Sequence, residues 1–288
     1  MKKILSVILL LVFISCGRKV TEPDEKIITV SIGPFKYFVE AIAGNEYAVN
    51  VMVPAGSNPH IYEPYPDQVA RLKKSVAYIS NGFLGFEMTW LDRFYEINRE
   101  MKTLSLGEAI DPIKPEHHHD GEHVEGVDPH YWVSPECASR FTYSLKEFLA
   151  DLNPGNRAVY EKRYEELSAK IRVIDEAMNE LASISGGKGF MIYHPNLGYL
   201  ARDYGFEEIP VANEGKEPSP ARMKYLIDRA KSDGLKVIMV QKEYDTRNAR
   251  AIASETGARV AVIDPLSEDW YSSELELIEI LKESFNGK

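Results

Sequence analysis

The chain has 288 residues, of which 44% are hydrophobic and 27% charged, and its formal net charge is −10. This composition is typical of an ordinary globular protein, and the length is enough for two domains. Phosphate binding needs clustered Lys and Arg, so the acidic charge and the lack of a basic stripe exclude nucleic acid as a partner.

The first 15 residues are predicted to be a secretory signal peptide. Two lysines precede an apolar run over residues 4–14, which is too short to span a bilayer, and Cys16 follows it. A cysteine at this place resembles the lipobox of bacterial lipoproteins, although Phe13 stands where that motif usually has Leu. Residues 16–26 are then a lipidated cysteine and a polar tether, and the protein is an exported lipoprotein anchored in the cell envelope. A plain secreted protein or an uncleaved anchor is the alternative.

The next part of the chain alternates strand and helix patterns. Strands are predicted at 27–32, 47–53, 76–80 and 102–106, and helices at 36–44, 67–75, 86–98 and 135–152. Such alternation indicates an α/β layer with a mainly parallel sheet. Cys137 falls in the last of these helices, where we expect it to be buried as a small hydrophobic residue.

A long helix is predicted over residues 156–184. Its apolar positions recur at intervals of four and three residues and form one face: Tyr160, Tyr164, Leu167, Ile171, Ile174, Met178 and Leu181. A second alternation follows, with strands at 189–194, 235–241 and 259–264 and helices at 197–205, 219–234, 248–257 and 273–285. The predicted fold class is therefore α/β, with an N-terminal lobe (27–154), a linking helix (155–185) and a C-terminal lobe (186–288).

Histidines are the candidate reactive side chains. One cluster comprises His117, His118, His119 and His123. The others are His60, His130 and His194. His194 and Asp264 each end a predicted strand, and open α/β sheets bind ligands just beyond the carboxyl ends of their strands. Three imidazoles and one carboxylate suit a tetrahedral zinc site, but their spacing is too wide for a local zinc motif, and Asp-Pro at 264–265 is also a common turn.

Five stretches of sequence carry a longer-range signal. In chain order they are NPHIYEPYPDQ (58–68), DPHYWVSP (128–135), MIYHPNLGYLARDYGF (191–206), EPSPARMKYLI (217–227) and ETGARVAVIDPL (255–266). Together they resemble the substrate-binding lipoproteins of bacterial zinc and manganese ABC importers, the cluster A-I family of solute-binding proteins. Ser134-Pro135 and Asn196-Leu197 depart from the family's usual Asp-Pro and Ala-Phe, at positions that are not ligands.

The resemblance implies a fold, a site and a function. Two α/β lobes are joined by a long rigid helix, and the metal lies between them, bound by His60, His130, His194 and Asp264. Manganese members tend to have a carboxylate at the place of His194, so zinc is expected rather than manganese. The protein is expected to be a monomer, not an enzyme, that captures zinc outside the cytoplasm and delivers it to the membrane subunits of an ABC permease.

Several alternatives stay open at this point. The cluster at 117–123 is expected to be an accessory metal-binding loop. The alternative is a solvated loop with only incidental affinity for metal. The chain could bind manganese or another divalent metal, or act as a surface adhesin. An envelope zinc hydrolase would need a general base, for which Glu63 or Glu243 are candidates, but no compact hydrolase motif is present.

Overall fold

A computed structural model describes residues 26–114, 126–212 and 216–285 of the chain. Within these residues each half is built around a sheet of four parallel strands. The N-terminal sheet has β1 (Ile27–Ile32), β2 (Ala48–Val53), β3 (Ser75–Ser80) and β4 (Lys102–Ser105), in the spatial order β2-β1-β3-β4. The C-terminal sheet has β5 (Gly189–Ile192), β6 (Glu207–Pro210), β7 (Val237–Gln241) and β8 (Arg259–Ile263), in the order β6-β5-β7-β8. The predicted α/β class with two parallel sheets is confirmed.

Helices connect the strands and cover the sheets. They are α1 (Gly33–Ala43), α2 (Pro66–Leu72), α3 (Gly85–Ile97), α4 (Pro135–Leu152), α5 (Arg157–Ser185), α6 (Gly198–Tyr204), α7 (Pro220–Asp233), α8 (Arg247–Thr256) and α9 (Trp270–Phe285). The long helix of the sequence analysis is α5, whose 29 residues span about 43 Å. Its predicted apolar face is buried, with only Tyr164 partly exposed, and it packs against α1, α4 and α9.

The strand order of each sheet predicts a ligand-binding crevice at its carboxyl edge. Every residue of β1 is buried, because helices cover both faces of a parallel sheet. The strand that opens each sheet lies inside it, β1 between β2 and β3 and β5 between β6 and β7. The chain passes from β1 to β2 on one side and from β3 to β4 on the other, and likewise from β5 to β6 and from β7 to β8. The crevice beyond the carboxyl ends at such a switch is where open α/β sheets bind ligands.

The two sheets meet through direct contacts at these carboxyl ends. The Trp132 indole N–H donates to the Pro265 carbonyl, and the Trp270 indole N–H donates to the Trp132 carbonyl, both at 2.8 Å. Gly33 approaches the Leu266 backbone so closely that a Cβ there would lie 2.5 Å from the carbonyl oxygen. Because each bond joins a buried group of one half to the other half, the crevice between the sheets has fixed walls.

Two elements, β6 and α9, differ from the sequence prediction. The strand β6 has no counterpart in the sequence prediction, and α9 begins three residues before the predicted helix. Cys137 is buried in α4, as predicted. The lobe boundaries at residues 154 and 186 stay a prediction.

Two sequence predictions lie outside the described residues: the signal peptide with its lipidated Cys16, and the cluster His117, His118, His119 and His123. Among the helices that the structure describes, none combines the length and apolar character needed to cross a membrane.

Candidate metal centre

Three histidines from distant parts of the chain converge in the crevice between the sheets. His60, His130 and His194 each offer a ring nitrogen, and these nitrogens lie within 4.8 Å of one another. The ring centroids are 5.1–5.2 Å apart in all three pairs, so the imidazoles surround one point. The Nε2 atoms of His60 and His130 are 3.1 Å apart. Two nitrogens bound to one tetrahedral zinc at about 2.0–2.1 Å would be separated by about 3.3 Å.

His60 lies on the loop between β2 and α2. Its backbone N–H donates to Asn58 Oδ1 at 2.9 Å, in a turn that Pro59 stiffens. Gly85, at the start of α3, faces this loop, and a Cβ there would lie 2.4 Å from the His60 carbonyl oxygen. The close approach of α3 to the His60 backbone therefore requires glycine at this position.

His130 is held by the residue two positions before it. Asp128 Oδ1 accepts hydrogen bonds from the His130 backbone N–H at 2.9 Å and from ring Nδ1 at 2.7 Å. Because an ionised carboxylate can only accept hydrogen bonds, Nδ1 of His130 carries the proton. The lone pair of Nε2 is then able to bind a metal. The side-chain amide of Asn81, just after β3, donates to the Pro129 carbonyl at 3.0 Å and fixes the same turn.

His194 follows β5 and is positioned from β7. Gln241, at the end of β7, accepts from the His194 backbone N–H at 3.2 Å and donates to the His194 carbonyl at 2.6 Å. The Tyr244 ring stacks on the imidazole with centroids 5.1 Å apart. Both ring nitrogens of His194 are buried, and neither has a hydrogen-bond partner within the described residues. A buried polar atom without a partner is costly, so this imidazole fits a site whose partner is a ligand.

Burial keeps the imidazole rings of His60 and His194 unprotonated. Burial, and then the nearby His130 ring, lower the pKa of His60 to about 4. Burial, followed by the rings of His130 and His60, lowers the pKa of His194 to about 3. For Asp128, burial acts to raise the pKa, but the hydrogen bonds from His130 outweigh it and leave the pKa below its usual value. Near neutral pH the rings of His60 and His194 are therefore neutral and able to bind a metal, and the ionised carboxylate of Asp128 braces His130.

Two carboxylates of the C-terminal half, Asp264 and Glu243, have different surroundings, and the predicted role of Asp264 as a metal ligand stays a prediction. Asp264 directly follows β8, but it is not in the group of three histidines, and its Oδ2 lies 3.2 Å from Lys242 Nζ. Glu243 instead contributes to the wall of the small cavity around the imidazoles, and burial raises the pKa of its carboxyl. The cavity is lined by Pro59, His60, His130, Trp132, His194, Asn196, Glu243, Tyr244 and Leu266.

Asp128 and Asn58 have no role predicted from the sequence, although both lie in the motifs at 58–68 and 128–135. A detectable signal was present: each begins an Asx-Pro-His triplet, and in each the Asx oxygen accepts the histidine N–H at 2.9 Å. Glu63, named as a candidate base for a hydrolase, is exposed and does not line the cavity.

Fold and site together define a class, a two-lobed α/β protein whose crevice brings together three imidazoles that could hold a metal ion. The chain belongs to the family described as zinc-uptake complex component A, periplasmic, which matches residues 28–283. It is therefore an extracytoplasmic solute-binding protein of ABC import and not an enzyme, and the resemblance stated from the sequence is confirmed.

Individual relatives agree with this assignment. The high-affinity zinc uptake system protein ZnuA of Bacillus subtilis (strain 168) is 27% identical over 95% of this chain and 91% of that protein. The zinc-binding lipoprotein AdcA of Streptococcus pneumoniae serotype 4 is 26% identical over 92% of this chain but 56% of its own length, so the chain spans just over half of that relative. The solved structure of a ZnuA deletion mutant with zinc bound is 34% identical and superposes with a TM-score of 0.83, over 92% of this chain and 100% of that one.

Proposed function

We propose that this protein captures zinc outside the cytoplasm through His60, His130 and His194, with Asp264 as the fourth ligand, and delivers it to an ABC permease. The observation that carries the proposal is the His194 imidazole, whose two buried nitrogens have no hydrogen-bond partner among the described residues while two further imidazoles face it. Four protein ligands would leave no open position for a reactive water, in keeping with capture rather than catalysis.

The choice of zinc rests on the donor set. Imidazole nitrogens suit zinc, whereas manganese prefers sites rich in carboxylate and water oxygens. The described residues offer three imidazoles as the closest ligand group, and the carboxylates of Asp128, Glu243 and Asp264 are outside that group. We therefore expect zinc to bind far more tightly than manganese.

The test is a competition titration of zinc and manganese against a chromophoric chelator, using the soluble chain from residue 17. Alanine at His60, His130 or His194 should each weaken zinc binding by at least about 100-fold, because each removes a direct ligand. The matched control is deletion of residues 117–125, which removes four other histidines and should leave the tight site in place. Loss of tight binding with that deletion, and not with His60→Ala, would overturn the assignment and place the site in the histidine cluster.

The fourth ligand can be assigned separately. Asp264→Asn and Glu243→Gln are matched changes, since each removes one carboxylate charge from neighbouring strand ends. If Asp264 is the ligand, Asp264→Asn should weaken zinc binding by about 10- to 100-fold and Glu243→Gln by much less. The reverse order would assign the fourth position to Glu243.

Anchorage and delivery form a further part of the proposal. Cys16 would carry a lipid that holds the protein beside the membrane subunits of its permease, with the polar residues up to 26 as a tether. The protein would act as a monomer, since one chain supplies all four ligands. Labelling of cells with radioactive palmitate tests this: the wild-type chain should take up label and Cys16→Ala should not. Label on the Cys16→Ala chain would contradict lipidation at this cysteine.

Release of zinc would involve a small movement rather than a wide opening of the lobes. The bonds of Trp132 to Pro265 and of Trp270 to Trp132 tie the halves together beside the site, and α5 packs against helices of both. A local movement of the segment that carries His194 or Asp264 would break the ligand set at less cost than separating these contacts. Spin labels on α3 and α7 should therefore report nearly the same distance with and without zinc. A change of more than about 5 Å would indicate hinge closure instead.

A further inference from the structure

The register of the C-terminal sheet sets a lysine beside Asp264. Gln241 of β7 pairs with Ile263 of β8, so the next residues, Lys242 and Asp264, leave the two strands side by side. The Lys242 N–H donates to the Ile263 carbonyl at 2.9 Å, which extends the pairing by one residue. The ammonium of Lys242 lies 3.2 Å from Asp264 Oδ2. The ion pair therefore follows from backbone pairing and not from a chance surface encounter.

This ion pair involves Asp264, the carboxylate that is proposed as the fourth zinc ligand. The Asp264 side chain is half-buried, whereas the Lys242 side chain is 57% exposed, so the ammonium approaches from the solvent side. Lys242 also lies close enough to Glu243 to favour its ionised form. A carboxylate could bind zinc through one oxygen and the ammonium through the other, but the two cations would then lie so close that their repulsion favours loss of the exposed Lys242 ammonium to solvent.

We propose that Lys242 competes with zinc for Asp264 and so tunes the affinity and release of the metal. The inference rests on the proposed function, because it assumes that Asp264 is a zinc ligand. Capture of zinc displaces the Lys242 ammonium into solvent, and return of the ammonium to Asp264 assists departure of the metal. Lys242 is thus a positioning residue that acts through Asp264 and does not touch zinc.

The direction and size of the effect follow from the exposure of the pair. Exposed ion pairs contribute up to about 1 kcal/mol, which corresponds to about a fivefold change in an equilibrium constant. Replacing Lys242 with Met keeps the aliphatic stem and removes the competitor, so zinc should bind about two- to fivefold more tightly and dissociate more slowly. The difference should shrink in 1 M salt, because salt screens a solvent-exposed ion pair.

A double-mutant design separates competition for Asp264 from plain repulsion between Lys242 and zinc. Zinc affinities of wild type, Lys242→Met, Asp264→Asn and the double variant would be measured by chelator competition at low salt. Competition predicts that Lys242→Met tightens binding in the wild-type background and has no effect in the Asp264→Asn background. Repulsion acts in both backgrounds, so an equal gain in both would overturn the proposal.

Two controls make the result specific. Lys242→Arg keeps a cation that can pair with Asp264 and should behave like wild type. Lys224→Met breaks a surface ion pair with Asp228 on α7, with the same change in net charge, and should leave zinc affinity unchanged.

If the wild-type chain binds no zinc, the proposed function itself fails. If the wild type binds zinc and Lys242→Met equals Lys224→Met, or binds more weakly than wild type, the competition fails alone. Tighter binding in Lys242→Met that depends on Asp264 supports it.

Discussion

Replacing His194 with leucine should stabilise the metal-free protein while it abolishes tight zinc binding. In the part of the chain that the structure describes, both ring nitrogens of His194 are buried without a partner, and each such group costs about 1–3 kcal/mol relative to its hydrated state in the unfolded chain. Leucine is close in size but has no polar atom to satisfy. It loses the stacking contact with Tyr244, which offsets part of the gain. We expect the free energy of unfolding to rise by about 1–3 kcal/mol.

Urea denaturation of the chain in the presence of EDTA at pH 7.5 measures this difference. His60→Leu is the matched control: the His60 Nε2 already contacts His130, so the same substitution removes a contact and should stabilise less. Excess zinc should reverse the order, because a ligand that binds only the folded state stabilises the wild type and not the variant. A His194→Leu chain that is less stable than wild type in EDTA would refute the view that this imidazole is unsatisfied.

Four further outcomes are expected. Because the pKa values of His60 and His194 are lowered to about 4 and 3, neither ring should titrate between pH 7.5 and 5.5 in imidazole NMR spectra of the metal-free chain; titration near pH 6.5 would contradict this. Below about pH 6.5 the unfolded chain takes up protons that these buried rings do not, so the free energy of unfolding should be constant above that pH and fall as the pH drops from there towards 4, as urea midpoints would show. Asp128→Asn should weaken zinc binding by about 10- to 100-fold in chelator competition, since it removes the ionised acceptor of its histidine partner. Gly85→Ala should weaken zinc binding and lower the melting temperature, whereas Gly155→Ala, with no atom closer than 3.4 Å, should do neither.

Elements with a strong local pattern could be predicted from the sequence. The apolar face of α5 recurs with helical spacing over 29 residues, and the helix ends at Gly186 in the left-handed conformation, so its limits agree within one residue. The all-buried strand β1 likewise carries an unbroken β-branched run. In contrast, β6 contains two glutamates in four residues. It is a strand because its backbone pairs with β5, a non-local cause that propensity does not contain.

The candidate site shows the same division. That His194 and Asp264 follow strands could be read from local patterns, and strand ends converge in this type of fold. The direction in which a carboxylate side chain points could not be predicted from local sequence patterns. The contact between Asp264 and Lys242 depends on the register of β7 with β8, and the position of Glu243 in the cavity wall depends on the packing of the two lobes.

The two Asx-Pro-His turns explain how loops can present ligands with the precision that a metal requires. In both, the Asx oxygen accepts the histidine N–H, and the proline between them has a fixed φ and no N–H to compete for that oxygen. The turns differ in one respect, because Asp128 also accepts from its histidine ring whereas Asn58 does not contact the His60 ring in this way. Ligands held like this lose little freedom on binding, so tight capture does not require a large closure of the lobes. A stiff site of this kind needs a separate means of release, and a carboxylate shared with a competing ammonium is suited to provide it.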